Sequence, residues 1–192
     1  MPLRLNATPG LIASDRVWSR MAGWASRFFR NTRGTAAVEF ALVATPFFLT
    51  LFAMLEVSMI YLGSIALDNG TQTAARMIRT GQTSDLGSFR STVCAESFGL
   101  LSCDSRLFVD VQSYPSFAGV DLTPPVDADG NPTPGLFQAG NAGDVVVART
   151  YYVWPIFTPG LHYLLANIGS SGNRLLLSTV AFRNEPYGGV TP

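Results

Sequence analysis

The stretch "RGTAAVEFALVATPFFLTLFAMLEVSMIYL", residues 33–62, decides how this chain is read. From Phe40 to Leu55 its only residues that are not apolar are Thr45, Pro46 and Thr50, and apolar character resumes after the single Glu56. Taken as helix from Ala36 to Leu62, about 27 residues rise roughly 40 Å, enough to cross a hydrocarbon core of about 30 Å. No other part of the sequence qualifies as a span. The chain has 192 residues, which leaves room for one modest domain beside the span rather than two full ones.

Working outward, the formal net charge of zero hides an asymmetry. Residues 1–34 carry six arginines against Asp15 alone, whereas the remainder carries seven arginines against twelve acids. All 13 basic residues are arginine. A basic leader ahead of an apolar run is the positive-inside signal, so the amino end is expected in the cytoplasm and the carboxyl end outside. A nucleic-acid binder would instead spread its basic residues over a folded face, and that class is set aside. A secretory signal with Ser64 and Ala66 as the small residues before its cleavage site competes with this reading, but its amino-terminal region would be about 40 residues long and its helix would carry Pro46 and Glu56. An ordinary uncleaved anchor is the other alternative.

Glu39 poses the chemical question. An ionisable group inside a bilayer costs about 2.5–3.5 kcal/mol on insertion scales and calls for a partner. No basic residue lies within the span, and Arg33 is nearly two turns away. Cleavage after Gly34 would supply the missing cation, because Thr35 would then expose an α-amino group whose ordinary pKa is about 7.7–8.0. Thr35 and Glu39 stand at i and i+4 on one helix face, so the pair can form within a subunit or between packed neighbours.

A basic leader, Gly34, then "TAAVEF" with Glu at the fifth position of an apolar helix resembles a class III, or type IV pilin, signal. The longer stretch at 33–62, with "AARMIRTGQ" and the terminal "RNEP", resembles the TadE-like family of tight-adherence (Flp pilus) pseudopilins over residues 33–187. That resemblance implies a substrate rather than an enzyme. A membrane aspartyl prepilin peptidase would cut between Gly34 and Thr35 on the cytoplasmic side and leave the helix attached. The implied partners are that peptidase, other pilins and pseudopilins, the pilus assembly platform of a bacterial inner membrane, and membrane lipid, with no nucleic acid and no cofactor. The implied mechanism is packing: Thr35 and Glu39 set axial register, while Ala36, Ala37, Ala41 and Ala44 allow close approach. The leader is longer than many pilin leaders, which leaves Met21 as an alternative start.

Two helix residues keep open readings. Pro46 loses the bond to the Leu42 carbonyl and either bends the helix usefully or is simply tolerated. Glu56 lies about 25 Å along the axis from Glu39, near the outer interface, where solvation and a subunit contact both account for it.

Beyond the span the helix is expected to continue with Ala74, Ala75 and Ile78 as its packing side until Gly81 stops it, unless Asp68, Asn69 and Gly70 interrupt it. Ser84 or Asp85 would cap a short helix with Leu86, Phe89 and Val93 at helical spacing. Cys94 and Cys103 are the only cysteines, and topology places them in an oxidising compartment, which predicts a disulfide. Strand patterns follow at 107–112, 145–154 and 174–182, the last also readable as a helix by its leucines. The expected fold is α+β and pilin-like: a long transmembrane and stalk helix packed on a small antiparallel sheet with one short extra helix. Its organisation would be leader 1–34, helix 35–80, and an extracytoplasmic head 81–192 with an exposed loop at 121–144.

The remaining motifs carry little chemistry. Asp127, Asp129 and Asn131 resemble fragments of a calcium loop, but Gly130 is misplaced and no distal Glu follows, so turn chemistry is favoured. His162 sits in a second loop, "PIFTPGLHYLL", and is read as structural. "GSSGNR" lacks the lysine and spacing of a phosphate loop.

Overall fold

The computed structural model describes residues 34–103, 105–121, 123–169 and 172–186. The basic leader and the alternative start at Met21 lie outside the described residues. The apolar stretch forms one helix, α1 (Thr35–Arg79), which runs unbroken through Pro46 and through Asp68, Asn69 and Gly70. It ends where the sequence predicts. Gly81 takes φ 70, its N–H donates to the Ile78 carbonyl at 2.9 Å, and the Gln82 N–H donates to the Met77 carbonyl at 2.8 Å. This paired closure of the last turn needs a left-handed residue, a conformation glycine adopts without a Cβ penalty.

The described residues form two units, divided within α1 after Thr50. In the first, α1 exposes Val38, Phe40, Leu42, Val43, Phe47 and Leu49. The hydroxyls of Thr45 and Thr50 bond back to the carbonyls of Ala41 and Pro46, so neither is left unpaired in an apolar setting.

The second unit adds α2 (Leu86–Glu96), β1 (Leu107–Tyr114), a 3-10 turn at Phe117–Gly119, β2 (Val145–Pro155), α3 (His162–Leu165) and β3 (Asn173–Arg183). The strands form an antiparallel sheet in the order β1-β2-β3. The alternation of apolar and polar residues sets the inward face of β1, whereas β2 is buried on both faces from Val145 to Tyr152. Val146, Ala148, Tyr152 and Trp154 of β2 join Leu107, Val109 and Val111 of β1 in one core with Leu67, Ala74, Ala75 and Ile78 of α1. The predicted α+β architecture is thus present, with its sheet laid on the carboxyl-terminal part of the long helix.

Asp85 caps α2, accepting from the Ser88 N–H at 2.9 Å. Phe89 and Val93 are fully buried, but Leu86 is exposed, so the inward face of α2 begins one turn later than its sequence spacing suggests. Cys94 and Cys103 form the predicted disulfide and tie the end of α2 to the approach of β1.

Two expectations need correction. The segment 121–144 is not only an exposed loop. Its Leu136 carbonyl and Gln138 N–H bond the N–H and carbonyl of Val111 at 2.7 and 2.8 Å, which covers the outer edge of β1. The second loop also contains the short α3, so the described residues hold two short extra helices where one was expected.

Candidate functional site

The site proposed from sequence is the amino-terminal part of α1. Gly34 directly precedes the helix and is exposed, and among the described residues a Cβ built on it meets nothing within 4 Å. Thr35 begins the helix and is also exposed. Glu39 lies one turn later, exposed, with no hydrogen-bond or ion-pair partner among the described residues. Ala36, Ala37 and Ala41 are exposed and Ala44 is half-buried, so the small-residue face is present on a helix surface otherwise covered by large apolar side chains.

Glu56 behaves differently from either reading at the sequence level. It is 6 % exposed, and its carboxylate accepts from the Phe157 N–H, the Thr158 N–H at 3.1 Å and the Thr158 hydroxyl at 3.0 Å. Solvent does not satisfy this group; the turn after β2 does. Hydrogen bonds to a charged acceptor are each stronger than neutral ones, so Glu56 fastens that turn to the helix. Replacing Glu56 with Ala should lower stability by about 2 kcal/mol, read by urea unfolding of the detergent-solubilised chain. A change close to zero would mean that water replaces the carboxylate without loss.

Further along α1 the contacts with β2 climb in step. Thr71 and Thr150 share a buried hydroxyl hydrogen bond, and Gly63 lies under the Trp154 ring, 2.5 Å from where a Cβ would sit. From Thr71 to Glu56 the helix rises about 22 Å and from Thr150 to Phe157 the strand covers about 23 Å, so helix and strand stay matched over the whole interface. At the other end the Glu185 N–H donates to the Arg79 carbonyl at 3.0 Å, and the two side chains form an exposed ion pair at 3.3 Å.

The opposite face of the sheet holds a group that sequence reading did not single out. Asp110 and Arg149 stand directly across from one another in register and form a buried ion pair at 3.2 Å. Arg149 also donates to the carbonyls of Thr123 and Asp121, and Asp110 accepts from the Leu136 N–H at 3.0 Å and from Gln112. Burial beside this pair pushes the Tyr151 phenol above its ordinary 10.0. The Asp110 and Arg149 side chains each have several partners, which suits a structural clasp.

Asp127 organises the hairpin that follows. Its carboxylate accepts from the side chain and N–H of Asn131 and the N–H of Asp129, and Gly130 takes φ 80. The Asn131 bonds foremost hold the Asp127 carboxyl below its ordinary 3.8. A depressed folded value means the turn gains its stabilisation above that pH and loses it as pH falls through the lowered value. The Asn131 amide resonance should therefore shift below pH 3.8; a midpoint at or above 3.8 would contradict the bond. Turn chemistry thus accounts for these residues, and no group of metal-ligating side chains occurs among the described residues.

His162 packs its ring on Tyr163 at 4.0 Å, within α3. A groove of about 490 Å³ runs between α1 and β3, bordered by Asp68, Gln72, Arg76 and Arg79 on the helix. Asp68 is already engaged there by Ser178 and Gln72.

α1 is long and apolar enough to cross a membrane. The family model described as TadE-like protein matches residues 34–76, the greater part of this helix. No curated protein and no solved structure matches the chain.

Proposed function

With residues 34–76 TadE-like, we propose that the chain is a minor pseudopilin of a tight-adherence pilus, trimmed by a prepilin peptidase after Gly34 and acting in pilus assembly through helix packing. The observation that carries this is the start of α1, where an exposed Gly34 with open space around it precedes a carboxylate, Glu39, that lacks a partner among the described residues. Cleavage would create that partner in the Thr35 ammonium, and a neighbouring subunit out of register would leave the carboxylate unpaired in lipid. The Cys94–Cys103 disulfide supports a head on the oxidising side of a bacterial inner membrane, with the amino end cytoplasmic. The role is one of assembly with other pilins and the inner-membrane platform, not of turnover.

The test is the amino-terminal sequence of the chain extracted from membranes of cells that contain the peptidase. It should begin at Thr35, and Gly34→Leu should abolish the mature band, leaving the precursor at full length. A mature protein beginning at Met1 would favour an uncleaved single-pass anchor. Glu39→Ala should leave cleavage intact while reducing recovery of partner pilins; undiminished recovery would remove the register role.

A further inference from the structure

Three of the most exposed large apolar side chains of the second unit lie close together in sequence: Phe157 at 72 %, Tyr163 at 84 % and Leu164 at 83 %. They occupy the turn and short helix that follow β2, and Glu56 fixes the start of this segment to α1. Glu56 comes directly after the apolar run that ends at Leu55, and around it α1 itself exposes Leu51, Phe52, Met54, Val57 and Met59. The start of the loop surface is thereby held against the exposed apolar surface of the helix. Arg174 pairs with Trp154 at this end of the sheet and bonds the Leu165 carbonyl, and the exposed Arg106 accepts the Val153 N–H through its own carbonyl nearby.

We propose that the segment from Ile156 to Leu165 is a second membrane contact, lying in the headgroup and acyl boundary of the leaflet on the head's side; this rests on the reading of α1 as a membrane span. The occupant is lipid because the loop cannot ride away from the end of the span while Glu56 holds it. Tyrosine has an apolar ring and a polar tip suited to that boundary, and Arg174, bonded to the Leu165 carbonyl at the end of the segment, adds a charge that suits lipid phosphates. An aqueous setting would leave the apolar side chains of both surfaces in water with nothing to cover them.

The experiment places a single nitroxide on the full chain, with the native disulfide intact, in phosphatidylethanolamine and phosphatidylglycerol vesicles. Labels at Phe157→Cys and Leu164→Cys should relax more with oxygen than with a water-soluble nickel chelate, as should a reference at Val43→Cys within the apolar run. A label at Phe117→Cys, beyond the far end of β1, should do the reverse. If the loop labels follow Phe117 while Val43 reads lipid, the loop proposal falls and the span stands. If Val43 also reads water, the span reading fails and the loop proposal goes with it. Protection from both relaxants with dipolar broadening between labels would mean a second copy covers the loop, which also overturns the proposal. Hydroxyl-radical oxidation of the unlabelled chain in the same vesicles guards against a perturbed variant. Tyr163 is more exposed than Phe117, at 84 % against 61 %, so water alone would oxidise it at least as much. Several-fold less oxidation at Tyr163 supports the lipid contact, and equal oxidation refutes it.

Discussion

Asp110→Ala is expected to lower the stability of the head by about 3–5 kcal/mol, the range for removing one member of a buried ion pair. Both side chains are almost fully buried, and the guanidinium of Arg149 would keep only the carbonyls of Asp121 and Thr123. The Leu136 N–H, which helps hold the covering segment over β1, would lose its acceptor as well. The penalty arises chiefly from stranding a charge, so the paired replacement Asp110→Leu with Arg149→Met should lose far less than the single change. Urea unfolding of the detergent-solubilised chain measures both. A loss of about 1 kcal/mol or less for Asp110→Ala would mean that the pair behaves as a solvated surface bridge.

Gly70→Val should lower stability by about 3 kcal/mol, against the ordinary expectation for glycine inside a helix. Replacing such a glycine with alanine normally stabilises by about 1 kcal/mol, and valine recovers part of that gain. Here a Cβ would lie 2.8 Å from the Val93 carbonyl oxygen and 3.0 Å from the Val93 Cα. Backbone cannot rotate aside, and α2 is held by buried Phe89, buried Val93 and the neighbouring disulfide. Overpacking of a filled core costs about 1–3 kcal/mol, occasionally more, and the two γ-carbons of valine press further into the same backbone. The exposed neighbour Asn69→Ala supplies the control, with no loss expected. Gly63→Ala should fall between them, since it meets the Trp154 ring, a side chain with some freedom to tilt.

The elements built from local patterns were legible in advance. An apolar run marks α1, alternating and β-branched stretches mark the strands, the last of them also readable as helix, Ser84 or Asp85 marks the cap of α2, and two cysteines mark the crosslink. What sequence could not supply was pairing across distance. Glu56 finds its donors more than 100 positions away, so nothing near it announces burial. Asp110 and Arg149 each look like an ordinary outward charge until the register of β1 against β2 sets them opposite one another. The segment 121–144 misled through composition: proline, glycine and aspartate do mark turns, but turns can also be folded over a sheet edge. Gly34, Thr35 and Glu39, the residues proposed for processing and register, could be read together from the sequence because they lie within a single helical turn and its approach.

The dependence of the sheet on α1 bears on how the molecule is made. Leu67, Ala74, Ala75 and Ile78 furnish the floor on which β1 and β2 rest, and they precede β1, β2 and β3 in the chain. Synthesis therefore delivers the template before the pieces that settle on it. Each strand emerging after the helix meets a surface already waiting for it, and its nearest sheet neighbour is also its neighbour in chain order. A fragment lacking the helix would have no such mould, and its strands would be left to associate with one another between molecules.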